Sequence, residues 1–138
     1  MSDNYTLDDS RLRELIEKSP EKVDAAIRET AFDAEAIAKA NAAVDTGAMR
    51  ASIFTKTSQG DNYGEAENDA LEHNPDVTTL DPTPGVPPLM TAYVAPGVKY
   101  AGFVEFGTSK MAAQPFMTPA IEKAEESFAR HIAEQFNE

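Results

Sequence analysis

The sequence predicts an α+β fold: N-terminal and C-terminal helices packed on a small, mainly antiparallel sheet, with a long acidic, proline-rich loop. Three observations carry that expectation. Apolar residues recur at helical spacing near both ends of the chain. Two short β-branched and aromatic runs lie between them, and a patternless acidic stretch separates the two runs. At 138 residues the chain is expected to form one domain spanning 1–138, with a real but modest core.

Each element has its own warrant. Asp9 to Glu17 predicts a short helix with Leu12, Leu15 and Ile16 on one side. Ser19-Pro20-Glu21 restarts the chain, with Ser19 suited to accept exposed amides and Pro20 suited to the first helical position. The following helix is expected to run to about Ala43. Val23, Ile27, Thr30, Ala34 and Ile37 form its stripe, and Phe32 lies opposite beside Ala25, Ala36 and Ala43. A helix apolar on two sides calls for two covers, and in so small a protein the second cover points to another subunit.

Asp45-Thr46-Gly47 breaks that helix, and Ala51 to Ser58 has strand composition. Gln59 to Leu89 carries seven acidic residues, from Asp61 to Asp81, without one Lys or Arg, and ends in D-P-T-P-G-V-P-P. The expectation for 59–89 is a long loop or extended arm. Met90 to Ala95 predicts a strand closed by Pro96-Gly97. Tyr100 to Phe106 fits a strand by alternation. It fits a short helix ended by Gly107 by its i,i+4 pairs, and the helix is preferred. Thr118-Pro119 opens a last helix to Phe136, with Ile121, Ala124, Phe128, Ile132 and Phe136 on its core face and Glu125 at the stripe's edge. So few strands leave sheet edges that need a neighbour.

Charge narrows the function. Twelve basic against twenty-four acidic residues give a net charge of −12. That surface repels phosphate backbones and anionic membranes, so gripping DNA is disfavoured while letting it pass is not. The bland reading is a soluble acidic surface. A second class is an acidic DNA mimic or adaptor that binds a basic protein. The chain has no apolar run of membrane-spanning length, and its N-terminus has no basic or apolar signal region, so a soluble, unexported protein is expected. With no cysteine, disulfides and thiolate metal sites are excluded.

Catalytic patterns are weak. V-D-T-G-A at 44–48 looks like the tripeptide of retroviral-type aspartic proteases, which would make Asp45 catalytic. That family needs a strand before the tripeptide, whereas A-E-A-I-A-K-A-N-A-A reads as helix, so the protease is a remote alternative. His73 and His131 have no metal-ligand spacing, and His131 is expected on an exposed polar helix face. No phosphate-cradling glycine motif and no interleaving of aromatic with basic residues occurs. No enzyme activity, cofactor or metal is expected.

Three pieces, T-G-A-M-R-A-S-I (46–53), Y-A-G-F-V-E-F-G-T (100–108) and Q-P-F-M-T-P-A-I-E (114–122), occur in order. Together they resemble the head–tail joining, or tail-completion (neck), protein family of long-tailed double-stranded DNA phages. The pattern is carried by Thr46, Gly47, Arg50 and Ser52 in the first block. Tyr100, Phe103, Glu105, Phe106, Gly107 and Thr108 carry the second, and Pro115, Phe116 and Pro119 the third. The resemblance implies a structural virion protein, made in the host cytoplasm. It would form a homo-oligomeric ring between the capsid-side connector or stopper and the tail-terminator or tail-tube rings. A hexamer is expected from tail symmetry, with a dodecamer as the alternative. DNA would pass through without specific binding, and no membrane is involved.

The residues of the last two blocks suit such a role. Gly102 and Gly107 permit close backbone approach. Phe103, Phe106 and Phe116 offer large, stiff anchors. Pro115 and Pro119 fix the connecting path. Glu105, between two phenylalanines, is expected to pair with Arg50 or to cap exposed amides. The competing reading is that this stretch packs the chain's own core, and the two roles can coexist. The ring's other patch is expected on the Ala25–Phe32–Ala36 face or the 59–89 arm.

Overall fold

The computed structural model describes residues 8–42 and 47–136. Asp8 caps the first helix, α1 (Asp9–Lys18), by accepting the Arg11 amide at 2.8 Å. The second, α2 (Pro20–Asn41), starts on Pro20 as expected, but the Ser19 side chain makes no capping bond. Its backbone carbonyl instead accepts the Lys22 and Val23 amides. Ala43 and the Asp45-Thr46 break lie outside the described residues.

The strand expected from Ala51 is shorter, because a helical turn, α3 (Ala48–Ser52), precedes it. Gly47, at φ 84°, reverses the chain so that A-M-R-A-S can coil, and Ser52 Oγ donates back to the Met49 carbonyl at 2.6 Å. β1 is therefore only Phe54–Thr57. It forms a hairpin with β2 (Gly60–Asp61) and pairs on its other side with β3 (Ala92–Ala95), both antiparallel. The sheet order is β2-β1-β3, which leaves β3 at one edge.

The 59–89 stretch is not patternless in space. It contains α4 (Tyr63–His73), which buries Ala66 and Ala70. Two alanines one turn apart are too small to stand out among Glu65, Glu67, Asp69 and Glu72, so the apolar period is nearly silent. The remainder runs through turns and bends with one bridge, Thr79 to Val98, and is tied down at both ends. Leu80 donates its amide to Gly97, Lys99 donates to Thr78, and the Lys56 ammonium pairs with Asp81. At the far end, the Met90 amide donates to buried Asp24 at 2.7 Å.

Tyr100 to Phe106 resolves as helix α5 (Ala101–Phe106). The single C-terminal helix expected to Phe136 is two: α6 (Met117–Glu125) and α7 (Phe128–Phe136). Ser127 makes the break. Its hydroxyl bonds the Ala124 carbonyl at 2.8 Å and Asp33 of α2 at 3.1 Å, offering the backbone an alternative to a continuous helix.

α2 is the spine. Thr55 on one face of β1 donates to Glu35 of α2 at 2.9 Å, while Phe54 on the other packs edge-to-face on Tyr63 of α4. One core gathers Ala38, Met49, Ile53, Val98, Phe116 and Met117, and a second joins Leu15, Val23, Ala26 and Ile132. The opposite side of α2 stays open within this chain: Phe32 is 48% exposed. No helix among the described residues is long and apolar enough to cross a membrane.

Candidate functional site

The second and third motif blocks form one unit, α5 docked on the start of α6. Along A-G-F-V-E-F, Ala101 and Glu105 are one turn apart and both point inward. Gly102, Phe103 and Phe106 then point outward, and the two phenylalanines are 60% and 80% exposed. Tyr100 lies partly exposed beside them.

Glu105 is the fixing point. Its Oε1 accepts the amides of Phe116 and Met117, each at 2.9 Å, and its Oε2 accepts that of Thr118 at 3.1 Å. Pro119, next in line, has no amide to satisfy, so the exposed donors of the α6 N-terminus are accounted for. Burial pushes the Glu105 pKa up, but the amides of Met117, Phe116 and Thr118 outweigh it and hold the carboxyl below its ordinary value. Of the two expected roles for Glu105, amide capping is the one found.

Arg50 instead reaches the Ala42 carbonyl at 3.3 Å. Ser52, fully buried, receives the Gly97 amide on both its carbonyl and its hydroxyl, at 3.1 Å each. The first block thereby anchors the turn leading into the second. Gly47 abuts His73, whose ring would lie 2.5 Å from an added Cβ. Thr46 and Asp45 lie outside the described residues.

The loop between α5 and α6 shows why Gly107 is glycine. At φ 76°, an added Cβ would sit 2.8 Å from the Ala113 nitrogen and 2.9 Å from the Met111 carbonyl oxygen. The close approach is therefore within the chain, to the small turn in which Thr108 and Met111 pair. Gly102 has open space around it. Pro115 and Pro119 are exposed, while Phe116, 1% exposed, is a core residue and no surface anchor. A test that truncates Phe116 would thus strike the fold first.

A groove of about 500 Å³ opens elsewhere, between α2, β3 and the α6–α7 pair. Ile27, Ala31, Val94, Ile121 and Phe128 line it. Ile121, expected in the core, is exposed at its rim.

His131 departs most from expectation. It is 7% exposed and lies against α2, its Nε2 2.6 Å from Asp33 Oδ2 and its Nδ1 2.8 Å from Glu29 Oε2. Glu134, one turn on along α7, brings a third donor, and the Glu29, His131 and Glu134 donor atoms lie within 4.8 Å of one another. The sequence reading missed this cluster, although the three-residue spacing of His131 and Glu134 puts both on one helix face. The rest of the cluster comes from α2, about a hundred residues away in sequence, and no local signal pairs the two helices.

The described residues thus form an α+β module in which a structural carboxylate sits beneath an exposed aromatic pair. The chain belongs to the family described as "Bacteriophage HK97-gp10, putative tail-component", whose model matches residues 9–107. That span runs from α1 through α5 and includes the first motif block and the second up to Gly107. The coarse role is therefore that of a phage tail component acting in the virion. Neither a curated protein nor a solved structure matches the chain.

Proposed function

We propose that this chain is a ring-forming subunit of the neck, at the head–tail interface, that joins the capsid connector to the tail and lines the DNA channel. The observation that carries the reading is the exposure of Phe103 and Phe106 on a helix pinned from below by Glu105. Stiff aromatics held out on a rigid support lose little entropy on docking and are the side chains that concentrate interface energy. The α2–β3–α6 groove supplies a second, different apolar patch. A ring of identical copies needs two such unlike surfaces per subunit, so one copy's Phe106 would seat in the next copy's groove. The exposed Phe32 face of α2 and the segment near Val86 extend the surface available to neighbouring rings.

The net charge of −12 fits the same role. Acidic side chains around a lumen let DNA slide without ion pairing. The role is structural, with the neighbouring connector and tail rings as partners and no catalytic step.

The cysteine-free sequence permits a clean test. A Phe106→Cys, Ile121→Cys double variant, oxidised in assembled particles, should give a ladder of cross-linked species that closes at the ring's copy number. A doubly substituted protein that enters particles yet yields only monomer after oxidation would refute this contact. A particle that completes its neck without the protein would refute the role.

A further inference from the structure

We propose that Glu29, His131 and Glu134 form a binding site for a divalent transition cation of the zinc class, stapling α7 to α2. The starting point is an unsatisfied atom. The His131 Nε2 is engaged by Asp33 Oδ2 at 2.6 Å. Nδ1 is buried and has no hydrogen-bond partner, although Glu29 Oε2 lies only 2.8 Å away. That carboxylate is within contact but not placed to accept a proton from the ring. A carboxylate oxygen so close to a ring nitrogen calls for positive charge at the contact, from a ring proton or from a cation bound by both, and a ring proton would not be aimed at this oxygen.

The surroundings are those of a metal ligand set. In the tautomer that donates Nε2–H to Asp33, the ring is oriented and its Nδ1 lone pair is free for a metal. This carboxylate–histidine pairing is the usual outer support of a metal-bound imidazole. Asp33 is itself held by the Ser127 hydroxyl at 3.1 Å, the same contact that breaks α6 from α7. Gln135 Nε2 reaches the other oxygen of Glu29, Oε1, at 3.3 Å, leaving Oε2 turned to the histidine. The donor atoms lie close to the separations a metal needs. Zinc bonds of about 2.0–2.2 Å at the tetrahedral angle place two donors about 3.3–3.6 Å apart. On binding, the 2.8 Å contact between Nδ1 and Glu29 Oε2 would open slightly and the wider spacings, within 4.8 Å, would close. Glu134 can move to do so, being exposed and bound only loosely, at 3.9 Å from Arg130 Nε. A small rotation of that side chain completes three protein ligands, with water as the fourth. An imidazole nitrogen among the donors favours zinc-like ions over magnesium or calcium.

The site is independent of the neck reading, because it concerns only how α7 is held to α2. The test uses the full chain, stripped with chelator and titrated with Zn²⁺, and with Co²⁺ as a spectroscopic probe. One saturable site is expected, with tetrahedral Co²⁺ absorption. At a hundredfold excess over Kd the thermal midpoint should rise by about 5–10 °C. Glu29→Gln and Glu134→Gln should each weaken binding at least about tenfold, and Asp33→Asn by about 10–100-fold. Glu134 is exposed, so Glu134→Gln keeps the test meaningful if the Glu29 or Asp33 variant fails to fold. His73→Gln should change nothing. No saturable binding at millimolar Zn²⁺, or binding undiminished in Glu29→Gln and Glu134→Gln, would overturn the proposal. So would loss of binding on changing His73 alone, or nitrogen NMR showing the Nδ1 proton still in place with Zn²⁺ present.

Discussion

Glu105 Oε1 accepts the Met117 amide at 2.9 Å, so one carboxylate on α5 closes the first turn of α6 across a twelve-residue separation. The bond joins the two C-terminal motif blocks physically. It also explains a glutamate set between two phenylalanines: the phenylalanines face out and the carboxylate faces in.

Removing that acceptor should be costly. Glu105→Ala leaves the amides of Phe116, Met117 and Thr118 without their partner and should destabilise the fold by about 2–4 kcal/mol. Glu105→Gln keeps one carbonyl oxygen and should cost about half as much. Urea unfolding measures both, and a Glu105→Ala midpoint equal to wild type would contradict the capping role.

Acid should act through the same group. The folded-state pKa of Glu105 is depressed, so its contribution is complete above the ordinary value of 4.5 and fades as pH falls through the lower folded value. Asp81 follows the same sign. Burial raises its pKa, but Lys56 and Thr83 outweigh that and bring it below 3.8. Thermal midpoints should therefore drop steeply as pH falls from about 4.5, and less steeply in Glu105→Gln. Parallel pH profiles for the two proteins would exclude Glu105 as the source.

The phenylalanines of the motif should divide cleanly. Phe116→Ala removes a core side chain and should cost about 3–5 kcal/mol, enough to unfold a domain of ordinary stability. Phe103→Ser with Phe106→Ser should change stability by no more than about 1 kcal/mol while reducing assembly into particles. Light scattering and circular dichroism separate the two effects. A surface pair that melts the fold would mean the exposed aromatics serve the monomer.

The two glycines of α5 and its end should respond with opposite sign. Gly107→Ala forces a left-handed residue against Met111 and Ala113 and should cost about 1–3 kcal/mol. Gly102→Ala meets nothing within 4 Å and should stabilise the isolated chain by about 0.5–1 kcal/mol. If Gly102 is needed for subunit approach, the same alanine will hinder assembly while raising the melting temperature. Destabilisation by Gly102→Ala would show that the helix is not the resting state of this segment.

Much of the architecture was legible because it is local. The stripe Val23, Ile27, Thr30, Ala34 and Ile37, the Pro20 start and the Gly107 stop lie within a few turns of the residues they organise. Where the local signal was faint, the reading went astray. α4 rests on two alanines, and the break at Ser127 depends on Asp33, far away on α2.

By itself the sequence determined the fold class, the order of most helices and strands, and the three motif blocks, since propensity, capping and period act over a few residues. Tertiary structure alone decided which phenylalanine is core and which is surface, and which amides Glu105 caps. It also decided that His131, on the polar side of its own helix, is buried between carboxylates of another. Those outcomes depend on which helix faces meet, and burial and charge pairing across that contact are set by packing between residues distant along the chain.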